Sequence, residues 1–283
     1  MKLIHTITEL REYLATARKA GKSIGLVPTM GALHAGHLSL VDVLAAKIPE
    51  NSEIVVSIFV NPLQFNDPKD FERYPNTLQS DLDALAGIAA TVVFAPSPEE
   101  IYPQGESTVL ITPTSADTFE GLHRPGHFAG MLTVVAKLFN IVQPDYAAFG
   151  QKDAQQLFLV RSMVRDLNIP LEIVAVPTMR EADGLAMSSR NRFLDPENRA
   201  DALALSAALQ AAAKEDSVDA ALTAATGILD RAGVALDYFA LVDPDTFQEV
   251  SGDYRGEVLA IVAANVGSVR LIDNLLFELT TDD

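Results

Sequence analysis

The stretch from Val27 to Leu40, VPTMGALHAGHLSL, constrains this chain more than any other. An apolar run over Ser23–Val27 reads as a strand, Pro28 to Gly31 breaks it, and an amphipathic pattern begins beyond Gly36. A strand that passes through a glycine turn into a helix is the basic unit of an α/β sheet, and it puts the positive end of a helix dipole at the strand's carboxyl end. Unpaired N–H groups there form a seat for an anion such as phosphate. His34 and His37 are three residues apart, so both imidazoles share one side of the first helical turn. The spacing from Gly31 to Gly36 imitates a phosphate-binding P-loop, but His37 and Leu38 replace the required Lys and Ser or Thr. No GxGxxG follows a candidate strand, which removes the usual dinucleotide fingerprint. A zinc site is disfavoured because the two histidines are not i, i+4 and no glutamate accompanies them. Two ordinary histidines beside a helix start stay open as an alternative.

Composition narrows the partners. Lys and Arg number 21 against 38 Asp and Glu, a formal charge of −17, which argues against a nucleic-acid surface or an anionic membrane as partner. A phosphate ligand must therefore meet a locally basic site. Cysteine is absent, so there is no disulfide framework and no thiol nucleophile. MKLIHTITELREYL is too charged for a signal peptide, and no stretch nears the roughly 18 apolar residues of a membrane span. A cytoplasmic protein is expected.

Periodicity supplies the architecture. Helices are expected over residues 7–20, 39–46, 77–86, 128–142 and 154–166, and strands over 23–27, 53–60, 91–95, 108–112, 146–149 and 171–176. Alternating strands and helices imply an α/β, Rossmann-like parallel sheet with helices on both faces. Asp81 and Asp83 read as residues that solvate a helix start. Beyond residue 180 come two alanine-rich helices, near 200–214 and 218–230, then strands at 234–242, 257–264 and 269–277 with no helix between the last of them. These strands are expected to be antiparallel. The chain thus divides into residues 1–178 and a smaller α+β C-terminal domain, 179–283, with a short antiparallel sheet.

Four further stretches carry polar groups at loops. Asn61-Pro62-Leu63-Gln64 ends the second strand, where open α/β sheets bind ligands, so Gln64 is a candidate contact against the alternative of an exposed loop residue. FEGLHRPGHF, residues 119–128, holds His123 and His127 with Arg124 between Gly121 and Gly126, and reads as an anion-binding or mobile substrate loop or as a structural turn. Gly150-Gln151-Lys152-Asp153 repeats the strand, turn and helix start, now with an ammonium. Met187-Ser188-Ser189-Arg190-Asn191 sets hydroxyls beside a guanidinium, a combination suited to phosphate oxygens, though a helix cap has the same letters.

Together these segments resemble a known family. MGALHAGHLSL is similar to the HIGH signature of nucleotidylyl-transferring enzymes and MSSRN to their KMSKS segment. With IFVNPLQF, GLHRPGHF and GQKDAQQL, all in order, they closely resemble the pantothenate synthetases, the ligases of pantoate and β-alanine. The matching segments span about residues 23–194; the last hundred residues carry no mapped motif. The resemblance implies ATP as substrate with Mg2+, a pantoyl-adenylate intermediate, release of AMP and pyrophosphate, and a homodimer. It implies that ATP meets Met30, Gly31, Ala32, Leu33, His34, Ala35, Gly36 and His37, then Gly150, Gln151, Lys152 and Asp153, then Met179, Met187, Ser188, Ser189 and Arg190. His34, His37, Lys152 and Arg190 would be catalytic; Asn61, Gln64, His127 and Gln156 would take pantoate or β-alanine. A neutral amide suits that task, because it binds a carboxylate without quieting it as a nucleophile. No metal-ligating side chain is implied. The lysine that opens a KMSKS segment is missing, since Ala186 precedes Met187, and Lys152 with Arg190 must supply that charge. Another HIGH-type nucleotidylyltransferase, or a non-catalytic nucleotide-binding module, would share much of this pattern.

Overall fold

A computed structural model describes residues 1–65, 77–105, 110–113 and 116–280. By backbone contacts the chain forms two compact units: Met1–Gly150 with Leu159–Val176, and Gln151–Phe158 with Pro177–Asp283.

The first unit is built on a six-stranded sheet of order β1-β4-β3-β2-β5-β6, with every pair parallel. Its strands are β1 (Lys2–Ile4), β2 (Ile24–Thr29), β3 (Glu53–Ile58), β4 (Val92–Phe94), β5 (Tyr146–Gly150) and β6 (Glu172–Val176). Successive side chains of a strand face opposite ways, and here both sets are buried. Val27, Val56 and Val93 join a cluster with Leu40, Val41 and Leu44 of α2 (Ala35–Lys47) and Leu85 of α3 (Leu78–Leu85). Leu26, Val55 and Val92, the alternate residues, are also fully buried, as β-branched central strands covered on both faces require. Helix α1 (Ile7–Lys19) buries Leu10, Leu14 and Ala17, the expected stripe, and starts where the Thr6 side chain accepts the Glu9 amide. The remaining helices of this unit are α4 (Pro98–Ile101), α5 (Glu120–His123), α6 (His127–Val142) and much of α7 (Ala154–Asp166).

Two strand expectations are corrected. Thr108 and Val109 lie outside the described residues, and Leu110–Thr112 are irregular: the Ile111 amide donates to the Thr133 hydroxyl instead of a neighbouring strand. A place in the sheet belongs instead to β1, which pairs with β4 at an edge and is too short to show a period. Strand order runs outward from β2 through β3 to β4, then resumes on β2's other side with β5, so the switch point lies between β2 and β5. Open α/β sheets bind ligands beyond the carboxyl ends of such strands.

The second unit carries the antiparallel sheet β7 (Val234–Val242), β8 (Gly256–Val266) and β9 (Val269–Leu279). Helices α8 (Pro196–Ala212) and α9 (Val218–Leu229) pack on it through Ala202, Leu205, Leu209, Ala221 and Ala225 against Val258, Val262 and Leu271. Small alanines let these elements approach closely. Among the described residues no helix is long and apolar enough to cross a membrane.

Candidate active site

The turn after β2 is held from within. Gly31 and Ala32 both take positive φ, +81° and +51°, and their region closes on one carboxylate from α3. Asp81 accepts the amides of Ala32 (3.1 Å) and Leu33 (2.8 Å) and the Thr77 hydroxyl (3.0 Å), and only 2% of it is exposed. A Cβ on Gly31 would stand 2.9 Å from the same carboxylate, so the turn needs glycine both for its φ and for this approach. Asp81 therefore does not solvate its own helix, as its position in the sequence implies, whereas Asp83 is exposed and accepts from the Gln79 side chain. Sequence spacing could not reveal this, because donor and acceptor are 49 residues apart.

His34 is the N-cap of α2 and His37 its third residue, and they cap the helix reciprocally. The Gly36 amide donates to Nδ1 of His34 (3.1 Å), and the His34 amide donates to Nδ1 of His37 (3.3 Å). A ring nitrogen that accepts an N–H carries no proton, so in each neutral ring the proton sits on Nε2. The ring centroids are 4.0 Å apart. This corrects the expected row of unpaired amides: those of Gly31, Ala32, Leu33, His34, Gly36 and His37 all donate inside the protein. Both imidazoles are oriented by the helix start, each with its Nδ1 toward a backbone amide.

A second cluster in the same unit surrounds the loop after β3. Asn61 caps the 3-10 turn Pro62–Gln64, and its Nδ2 donates to Oε1 of Gln64 (3.1 Å) and to the carbonyl of Gly130 (3.1 Å). Gln64 Nε2 reaches the Met30 sulfur, which ties this loop to the β2 turn. His127 Nδ1 lies 2.9 Å from the Gln64 carbonyl oxygen. Asn61, Gln64 and His127 are all buried, so Gln64 is no exposed loop residue. Two supports were invisible in the sequence. Tyr102 donates its hydroxyl to Oδ1 of Asn61 (2.9 Å), and burial pushes that hydroxyl's pKa up to about 12. Gly130 lets α6 touch the loop backbone, since a Cβ there would be 2.2 Å from the Leu63 carbonyl oxygen. The FEGLHRPGHF segment is correspondingly ordered into α5 and the start of α6, with His127 buried and His123 exposed.

In the second unit, Lys152, Ser188 and Arg190 line one cavity with Arg270 and Asp273. The hydroxyl of Ser188 accepts the Arg190 amide and caps the 3-10 turn Ser189–Phe193. Asn191 is an internal staple: its Nδ2 donates to Oε1 of Glu181 (2.6 Å) and to the Ala186 carbonyl (3.0 Å). The Asn191 amide and the Arg199 guanidinium together hold the Glu181 carboxyl below the usual carboxylate range. Arg180 forks onto Asp273 (2.6 and 3.0 Å), and the Met187 amide donates to the Met179 carbonyl, closing the loop that presents the serines. Met179 and Arg190 are exposed; Met187, Ser188 and Ser189 are half-buried. Gln156 is half-buried in the first turn of α7, beside buried Gln155. Arg180, Arg270 and Asp273 lie outside the sequence motifs because single polar residues in an apolar strand or loop carry no pattern. Among the described residues no group of three or more His, Asp or Glu is placed to hold a metal ion.

The sequence model of the family described as Pantoate-beta-alanine ligase matches residues 2–276. A pantothenate synthetase of Leifsonia xyli is 53% identical over 94% of this chain and 96% of its own length. One from a Nocardioides strain is 51% identical over 99% and 86%. Among solved structures, the pantothenate synthetase of Thermus thermophilus superposes with a TM-score of 0.90 at 44% identity, covering 99% of this chain and all of that one. The Francisella tularensis pantoate-beta-alanine ligase, described as complexed with beta-gamma ATP and beta-alanine, gives 0.78 at 35% identity over 98% and 97%. The likeness runs through both units and almost from end to end, and the chain belongs to the pantoate–β-alanine ligase family.

Proposed function

We propose that this chain is an ATP-dependent ligase that condenses pantoate with β-alanine. In the first step a pantoate carboxylate oxygen attacks the α-phosphorus of ATP, the bond to the bridging oxygen breaks, and pyrophosphate leaves. In the second, the β-alanine amine attacks the acyl carbon of pantoyl adenylate, losing a proton as AMP departs with the former carboxylate oxygen. The observation that carries this reading is the family match over residues 2–276. The solved relative described with a nucleotide and beta-alanine supports the same substrates.

The residues are assigned by their chemistry. His34 and His37 offer Nε2–H donors to phosphate oxygens, and donors fixed in advance stabilise charge that grows during displacement without reorganising. Lys152 and Arg190 supply positive charge, and Ser188 and Ser189 supply hydroxyl donors. Asn61, Gln64, His127 and Gln156 serve the acids, and buried Gln64 binds pantoate without ion pairing. No general base is needed for a carboxylate nucleophile. Magnesium enters with ATP as counterion of the triphosphate, consistent with its habit of keeping water and substrate phosphates as ligands. A homodimer in the cytoplasm completes the proposal. Purified protein given ATP, magnesium, pantoate and β-alanine is expected to release pyrophosphate only when pantoate is present; release indifferent to pantoate overturns the substrate assignment.

A further inference from the structure

We propose that Asn274, in the last strand of the chain, is a positioning residue that sets the direction of Lys152. Asn274 lies on β9 and is only 7% exposed. Both hydrogens of its single side-chain nitrogen are spent on successive carbonyls of the GQKD turn, that of Gln151 (2.9 Å) and that of Lys152 (2.8 Å). Two consecutive carbonyls converge on one nitrogen only when the peptide planes on both sides of the intervening residue are fixed. That residue is Lys152, so its Cα–Cβ bond has one direction.

Asn274 is itself locked. Its amide donates to Oδ1 of Asp273 (2.8 Å), and its carbonyl accepts from Arg180 (3.3 Å), which also forks onto Asp273. The Lys152 side chain, 18% exposed, lines the cavity it shares with Ser188 and Arg190. Gln151–Phe158 belongs to the second unit with Asn274. The cation is carried by the sheet that also anchors the serine loop through Arg180. Misplacement of a charge-stabilising group by about 1 Å can lower a rate by about a hundredfold, so a lost anchor should act on turnover more than on affinity.

The inference rests on the reading of Lys152 as a cation for ATP phosphate, and a double-mutant cycle separates the two. Pyrophosphate release is measured with saturating pantoate and β-alanine over a range of MgATP for the wild type, Asn274→Ala, Lys152→Ala and the double variant. Asn274→Asp, isosteric but turning an oxygen toward the two carbonyls, is run beside them. The expected result is kcat reduced about 10- to 100-fold in both Asn274 variants, with KM for MgATP changed less than about threefold. In the Lys152→Ala background, Asn274→Ala should lower kcat no further, because the group it positions has gone. A loss that multiplies in that background marks a role in folding alone and overturns the inference, as does wild-type kcat in both Asn274 variants. Lys152→Ala at wild-type activity overturns the reading of Lys152 instead. If Asn274→Ala does not fold, Asn274→Ser, which keeps one donor, takes its place in the cycle and is judged by the same outcomes.

Discussion

Removing the Asp81 carboxylate should loosen the β2 turn and, through it, the histidine pair. In Asp81→Ala the Leu33 amide loses its 2.8 Å acceptor, whereas the Ala32 amide keeps the Thr77 oxygen at 3.1 Å. A hydrogen bond to a charged group contributes about 1.5–3 kcal/mol, so the lost Leu33 and Thr77 bonds with the weakened Ala32 bond amount to about 3–5 kcal/mol. Asp81→Asn should cost less, about 1–2 kcal/mol. Its amide nitrogen replaces the oxygen that accepted from Thr77 and Ala32, so the Thr77 hydroxyl turns to accept and the Ala32 amide keeps only Thr77, while the remaining oxygen keeps the Leu33 amide. Urea unfolding followed by circular dichroism gives the ranking, and hydrogen exchange at Leu33 locates it. Turnover should fall in the same order, because the caps that fix both imidazoles begin at this turn. An alanine variant within about 0.5 kcal/mol of wild type, with Leu33 exchange unchanged, refutes the reasoning.

Other perturbations test the remaining parts. His37→Ala should lower turnover by about 100-fold or more with an unchanged circular dichroism spectrum, as loss of a transition-state donor does; a rate within about threefold of wild type removes His37 from the proposed chemistry. Gly130→Ala places a methyl carbon 2.2 Å from the Leu63 carbonyl oxygen, so the Gln64 loop must shift at about 1–3 kcal/mol, and KM for pantoate should rise more than about tenfold while that for ATP holds. For Tyr102 the sign follows from a folded-state pKa raised from 10.0 to about 12: the stabilisation is whole below pH 10 and is lost as pH rises toward about 12. Tyr102→Phe should flatten the fall in stability over that window, and an equally steep fall assigns it elsewhere.

Much of the fold was legible because burial imposes a period. The apolar runs of β2, β3 and β5 and the stripe Leu10-Leu14-Ala17 announce themselves. Where reading failed, length or partner was decisive. The three residues of β1 are too few to alternate, and the β-branched residues near 110 have propensity but, over Leu110–Thr112, pair with no strand. Propensity describes fitness for a sheet and says nothing about which neighbour is available. In the candidate site, the segments that carry His34, His37, Lys152 and Arg190 stand out in the sequence because polar groups are dense in short loops. Asp81, Tyr102, Gly130 and Asn274 were not, because each acts on a loop far away in sequence. A lone carboxylate early in a helix looks like solvation, and a lone asparagine in a strand looks like an edge. The place of Gln151–Phe158 in the second unit is likewise hidden from the sequence, because the bonds from Asn274 to Gln151 and Lys152 span 123 and 122 residues.

The central claim is that pantoate's carboxylate attacks the α-phosphorus of ATP, and an isotope tests it without any variant. Pantoate carrying oxygen-18 in its carboxylate is turned over with ATP, magnesium and β-alanine, and the AMP is weighed by mass spectrometry. One labelled oxygen in the AMP phosphate is the predicted result. Unlabelled AMP, formed while pantothenate accumulates, contradicts the account.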